Sequence, residues 1–284
     1  MRLSSLLVVV CTACAPSAKS GDQGAESPAI HAIPADLVDD IDRALRLGRL
    51  IHRQDRYAWE ATDAVMALTA GKGDPRIRGW VVSIETEGTV VTFVGEEAPL
   101  PKPVFRVTFA PDSTVPAAAP SPPDDELTPE QATLFLARQT AIAAPFRPCS
   151  EKYNTVVLPA SLLGQEGFLV YLLPATTISG VVLVGGYYRV HVSSDGRRIL
   201  GVTPFSRSCL ALPPPDPRQG RVAGVVFSHL VTEAPVETHV FLSLLHQKPM
   251  FVATTRGIWQ VTGDKILFAG DWDRIRKERG DPAD

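Results

Sequence analysis

Leu37, Ile41, Leu45 and Ile51 recur at near-helical spacing, followed by Trp59, Thr62 and Met66, so the stretch from Asp36 to Leu68 is predicted to be helical. Gly48 interrupts the pattern and is read as a bend or a joint between two helices; Gly71 and Gly73 stop the second. A sharper start signal stands at Leu127-Thr128-Pro129-Glu130-Gln131. Thr128 fits the N-cap, Pro129 the first helical position, and Gln131 the third, where it reaches back to close a capping box. A helix from Pro129 to about Ala143 follows.

Alternating patterns predict strands, and three turns set their registers. Around Glu87-Gly88 a two-residue loop pairs Ile84 with Val91 and Val82 with Phe93, with Ser83 and Thr92 on the other face. Around Asp195-Gly196 Val192 pairs with Ile199, and around Gly263-Asp264 Val261 pairs with Ile266 and Trp259 with Phe268. Further strands are expected at Val104 to Phe109, Asn154 to Leu158, Phe168 to Leu173, Val181 to Val184, Val222 to Ser228 and Thr238 to Leu245. The fold class is α+β, with N-terminal helices, antiparallel β meanders and hairpins, and two helix-plus-sheet subdomains.

Composition places the breaks. Residues 14–32 are rich in Ser, Gly, Ala and Pro and read as a flexible tether. Residues 33–110 form a helix-plus-hairpin subdomain, and the proline-rich stretch 111–126 reads as a linker, because it offers too little apolar surface to fold alone. Residues 127–212 form a helix-plus-meander subdomain. Residues 213–273, opening with the prolines at 213–217, read as C-terminal β hairpins, and residues 274–284 as a charged tail.

The first 13 residues differ in kind. Arg2 precedes the apolar run Leu6-Leu7-Val8-Val9-Val10, and small residues follow in Cys11-Thr12-Ala13-Cys14, the layout of a secretory signal whose apolar run is too short to span a bilayer. This segment resembles the lipobox of bacterial lipoproteins, with Cys11 where that pattern usually has Leu. The resemblance implies that Cys14 becomes the first mature residue and carries the lipid, since Cys11 follows bulky Val10 whereas Cys14 follows Thr12-Ala13. Ala15 in place of Asp then implies the outer membrane, with the protein lipid-anchored in the cell envelope and facing the periplasm. The competing reading is an ordinary cleaved signal ending near Ala13 or Ala15. Both export the protein, and the Cys-x-x-Cys spacing inside a signal is not read as a redox motif.

Export changes the meaning of the remaining cysteines. Of four in the chain, only Cys149 and Cys209 lie beyond the signal, and in an oxidising compartment they are read as a disulfide. Closing that loop of about 60 residues would stabilise the fold by roughly 4 kcal/mol. Two free thiols, one of them nucleophilic, is the alternative. A net charge of −3 gives no bias toward polyanions, so nucleic acid is not an expected partner.

Candidate chemistry is sparse. Ser228-His229 with Glu233, Glu237 and His239 is the most attractive group: on a strand, Glu237 and His239 would share a face, and a hairpin would bring His229 to them. Two imidazoles and a carboxylate suit Zn²⁺ with an open position, although the spacing matches no zincin pattern. Hydrogen-bonded strand residues are the plainer reading. A second group is Asp55, Trp59 and Asp63, where an aromatic between carboxylates would grip a sugar or a cation. Asp55 and Asp63 are about 12 Å apart along a helix, too far to share a metal, and a core Trp flanked by acids is the plainer reading. No G-x-S-x-G elbow, G-x-G-x-x-G or P-loop occurs, Gly185-Gly186 precedes a strand, and no cofactor is expected.

The stretches Asp55-Arg56-Tyr57-Ala58-Trp59-Glu60-Ala61-Thr62-Asp63 and Pro204-Phe205-Ser206-Arg207-Ser208-Cys209 resemble segments of proteobacterial envelope proteins of unknown function. That resemblance implies an envelope location and no activity. The expectation is an envelope-bound binding or structural module whose partner is an envelope protein or glycan. A periplasmic metal-dependent hydrolase using His229, Glu237 and His239 is the alternative.

Overall fold

The computed structural model describes residues 30–96, 101–111, 113–214 and 224–279. The signal, Cys14, most of the tether and much of the second proline-rich break lie outside the described residues. In chain order the elements are α1 (Val38–Leu68), β1 (Ile77–Glu85), β2 (Gly88–Glu96), β3 (Pro101–Phe109), β4 (Pro116–Pro120), α2 (Pro129–Ile142), β5 (Lys152–Pro159) and β6 (Phe168–Ala175). There follow β7 (Val182–Leu183), β8 (Tyr188–Val192), β9 (Ile199–Pro204), β10 (Ala211–Leu212), β11 (Val225–Ser228), α3 (Glu237–His246), β12 (Met250–Ala253), β13 (Ile258–Thr262), β14 (Lys265–Gly270) and α4 (Trp272–Arg279). The fold is α+β; among the described residues there are four sheets, antiparallel except for one strand pair.

The described residues divide into two compact units, one within Ile51–Ala175 and Gly186–Pro204 and the other holding the described parts of the segments up to Leu50, Thr176–Gly185 and from Phe205 on. In the first, β1-β2-β3-β4 form a meander, and β5-β6-β8-β9 form a second antiparallel sheet. Ala61 and Val65 of α1 pack on Val91, Phe93, Val107 and Phe109 of the meander. Its opposite side brings Val81 and Val94 against Leu134 and Phe135 of α2. The small residues Ala137, Ala141 and Ala144 then let α2 approach Val170, Leu172, Val190 and Val192 of the second sheet. Burial of these apolar faces, at about 25 cal/mol per Å², drives the stacking.

The α2 start follows its sequence signal closely. Thr128 Oγ1 accepts from the Gln131 N–H at 3.1 Å, and Gln131 Oε1 accepts from the Thr128 N–H at 3.3 Å. Arg106 reinforces this cap, donating from Nη1 to Gln131 Oε1 and holding Asp125 through Nε at 2.7 Å and Nη2 at 3.0 Å. Within the stretch 111–126, Pro116–Pro120 is strand β4, paired with β3 from Phe105↔Pro120 to Phe109↔Pro116. Its alanines bury little, and the ladder to β3 holds it.

The β1–β2 hairpin turns one residue earlier than the sequence suggests. Thr86-Glu87 form the loop, so Val82 faces Val91 and Trp80 faces Phe93. The shift of two positions preserves which residues share a face. Gly88 belongs to the strand because β3 passes so close that a Cβ there would lie 2.0 Å from the Phe109 carbonyl oxygen. The other two turns keep the expected pairs: Val192↔Ile199, Val261↔Ile266 and Trp259↔Phe268. The Asp195-Gly196 tip is held to α2, where Thr140 donates to the Gly196 carbonyl at 2.7 Å.

The other unit holds the sheet β11-β12-β13-β14 and the small pair β10-β7. Here β11 and β12 run parallel. Parallel neighbours need a crossover connection, and α3 supplies it. Thr238 to Leu245 is therefore helix, not strand, and this corrects the placement of Glu237 and His239 on a strand face. Residues 237–243 are all buried, so they show no amphipathic period. Two further expectations change. Helix α1 runs unbroken through Gly48, whose missing side chain admits α3: a Cβ would lie 2.5 Å from Val240 Cβ and 2.8 Å from the Glu237 carbonyl oxygen. The charged segment from Arg274 begins inside helix α4, whose Trp272 donates its indole N–H to the Thr254 carbonyl at 2.9 Å.

Candidate functional site

The crossover of β11 into α3 brings together two of the three residues singled out for metal binding. His229 follows the last β11 residue, held by its backbone N–H to the Ala253 carbonyl at 2.7 Å. His239 lies at the third position of α3. Their ring centroids are 4.6 Å apart with planes at 88°, and Phe227 packs on His239 at 5.3 Å. Both histidines and Glu237 are buried.

Hydrogen bonds fix the protonation of both rings. The Val236 backbone N–H donates to His239 Nδ1 at 3.1 Å, and since a backbone amide only donates, the neutral ring carries its proton on Nε2. That bond caps the helix at a position where Val236 has no side-chain acceptor. His229 Nε2 lies 2.8 Å from Thr232 Oγ1, whose own hydrogen goes to the Ala234 carbonyl at 2.6 Å. Thr232 must therefore accept, and His229 donates from Nε2. Burial lowers the pKa of His229 to about 4. Burial, with His229 beside it, holds His239 well below its ordinary value. Among the described residues no group of three or more His, Cys, Asp or Glu side chains is arranged to hold a metal ion. Glu237 sits in the first helical turn, where a carboxylate suits the helix dipole. Glu233 pairs with Arg256 at 3.7 Å, and His246 closes the same helix half-buried.

The helical group Asp55, Trp59 and Asp63 separates. Trp59 is 63% exposed, which overturns its expected place in the core, and Asp63 is exposed beside it. Asp55 turns inward and accepts from Asn154 Nδ2 at 3.3 Å. Desolvation raises its pKa to about 6 against the opposing pull of Asn154. Tyr187 is fully buried near the Asp55 charge, and burial pushes its phenol well above the usual range. Asn154 on β5 and Tyr187 just before β8 were not legible beside Asp55, because only the tertiary fold, in which β5 and β8 flank β6, brings them near α1.

Arg138 is a further buried ionisable group, outside every sequence motif. It donates from Nε to Thr155 Oγ1 at 2.7 Å and sits 4.8 Å over the Trp80 ring. Desolvation brings its pKa down to about 10, which leaves it cationic at neutral pH. One signal was available: Arg138 lies four residues after Leu134 and three before Ala141, on the apolar face of α2.

Cys149 and Cys209 are disulfide-bonded, as the cysteine count implies. Gly185-Gly186 has a packing role. A Cβ on Gly186 would fall 2.8 Å from Cys149 Sγ, and one on Gly185 2.3 Å from the Ser208 carbonyl oxygen. Among the described residues no helix is long and apolar enough to cross a membrane. Comparisons of the chain with protein-family models, curated proteins and solved structures found no match.

Proposed function

We propose that this chain is a lipid-anchored protein of the bacterial cell envelope, attached through Cys14, whose folded part faces the periplasm and binds or braces an envelope protein or glycan without catalysing a reaction. The observation that carries the reading is Cys11-Thr12-Ala13-Cys14 behind the apolar run Leu6 to Val10. Ala15 points to the outer membrane by the sorting pattern of such lipoproteins. Several acyl chains on one residue anchor far more firmly than one. The engagement of His239 Nδ1 and His229 Nε2 in internal hydrogen bonds supports a structural role for the most reactive-looking residues. Labelling cells with a palmitate analogue tests the anchor. Label should enter the wild-type protein and not Cys14→Ser, and Cys14→Ser should leave the membrane fraction; unchanged fractionation overturns the anchor.

A metal-dependent hydrolase using His229, Glu237 and His239 is the second reading, favoured by the 4.6 Å approach of the two rings. Metal analysis of the purified protein separates the two. Stoichiometric zinc that is lost in His239→Ala overturns the non-catalytic reading, and its absence overturns the hydrolase.

A further inference from the structure

Helix α1 turns Ala58, Ala61 and Val65 into the core, and its period carries Trp59 round to the surface, 63% exposed. Among the described residues no ring packs on this indole and no group holds its N–H. Asp55 lies four residues earlier on the same face. Helical side chains lean toward the N-terminus, so the Trp59 indole covers the turn that carries Asp55.

Beside the aromatic stands a polar set fixed by the fold. Asn154 of β5 donates from Nδ2 to Asp55 Oδ1 at 3.3 Å, which holds both planar groups before any ligand arrives and lowers the ordering cost of binding. Asp55 Oδ2 and Asn154 Oδ1 accept no hydrogen bond among the described residues, and neither residue is fully buried. His52, one turn before Asp55, is half-buried. Burial, with the Arg56 charge beside it, lowers its pKa, so at pH 7 the ring is neutral and offers one donor and one acceptor. The three side chains together both give and accept hydrogen bonds, as hydroxyl groups do. A pyranose matches this layout: one face of C–H groups lies flat on an indole, while hydroxyls at its rim meet the polar set. Other occupants fit less well. A protein interface needs a broad apolar centre, whereas Trp59 is bordered by Asp55, Thr62 and Asp63. A quaternary ammonium is held by a cage of several aromatic faces, and Trp59 supplies one.

We propose that the Trp59 face of α1 binds an uncharged pyranose unit of a glycan, with the indole stacked on the sugar ring and Asp55, Asn154 and His52 bonded to its hydroxyls. This deepens the binding-module reading, and rests on it, by naming the ligand class and the site. Calorimetric titration of the full-length protein with maltotriose, cellotriose and triacetylchitotriose tests it, with choline as the cationic comparison. Saturable binding of at least one sugar is expected, weakened about tenfold in Trp59→Ala and less in Trp59→Phe, which keeps an aromatic face. Asp55→Asn should bind about fivefold more weakly, because a charge-assisted acceptor becomes a neutral one. No saturable heat with any of the sugars, tighter binding of choline, or sugar affinity unchanged in both Trp59→Ala and Asp55→Asn overturns the proposal. Palmitate labelling reads the anchor independently: label without sugar binding removes this site alone, and sugar binding without label removes the anchor alone.

Discussion

His229 and His239 meet in the interior with centroids 4.6 Å apart and ring planes nearly perpendicular, each neutral and each spending one nitrogen on an internal hydrogen bond. Protonating His239 on Nδ1 would break its bond to the Val236 amide and place a charge beside a second imidazole. Glu237 is the ionisable neighbour in the same helical turn.

Stability should therefore fall in mild acid. In the unfolded chain both histidines take up protons near pH 6.5, whereas the folded values are lowered, to about 4 for His229. Their contribution is complete above about pH 6.5 and is lost as the pH falls toward 4, because the unfolded state then binds more protons. Urea denaturation at pH 7 and pH 5 should show a larger loss for the wild type than for His239→Phe. Equal losses would count against the pair as the cause.

Asp55 acts with the opposite sign. Its folded value, about 6, exceeds the ordinary carboxylate value, so the folded state binds the extra proton and ionisation at neutral pH destabilises it. Asp55→Asn keeps an acceptor for Asn154 Nδ2 and should be more stable than wild type at pH 7. The difference should vanish below about pH 4, where both states are protonated. Thermal melts across that range decide it, and a less stable Asp55→Asn at pH 7 refutes the assignment.

Gly48→Ala separates helix propensity from packing. In an exposed helix the change gains about 1 kcal/mol. Here the new methyl would meet Val240 Cβ at 2.5 Å and the Glu237 carbonyl oxygen at 2.8 Å. Overpacking of this kind costs about 1–3 kcal/mol, so the sum should be destabilising in chemical denaturation. A stabilised variant would mean that α1 and α3 do not pack as described.

Thr254 is a hydrogen-bonding hub, buried at the end of β12. Its Oγ1 donates to the Glu233 carbonyl at 2.7 Å and accepts from the Trp259 indole N–H at 3.1 Å, while its carbonyl accepts from Trp272. Thr254→Val keeps the shape and strands a buried indole donor. A loss of about 1–3 kcal/mol is expected. Trp259 emission should change at the same time; an unchanged denaturation midpoint would contradict the role.

What the sequence made legible was local. The capping box at Thr128-Gln131 and the Gly263-Asp264 hairpin are each written in a few adjacent residues, and both appear with the expected partners. The β1–β2 hairpin shows the limit of that reasoning. The alternation identified the shared faces correctly, but two adjacent loops, Thr86-Glu87 and Glu87-Gly88, both satisfy it, and the close approach of β3 to Gly88 selects the first. For α3 the local signal pointed the wrong way. Thr238, Val240 and Phe241 favour strands, and no Ser, Thr, Asp or Asn marks the N-cap.

The sequence by itself determined the α+β class, most strands, the α2 cap and the pairing of Cys149 with Cys209, because each depends on residues near one another in the chain or on a count of two. Only the tertiary structure decided that Glu237 to His246 is a helix, that Gly48 admits that helix, that His229 meets His239 and that Asp55 meets Asn154. These outcomes rest on burial and crossover geometry between segments far apart in sequence, where a parallel strand pair demands a helix and the desolvated interior decides which side chains remain uncharged.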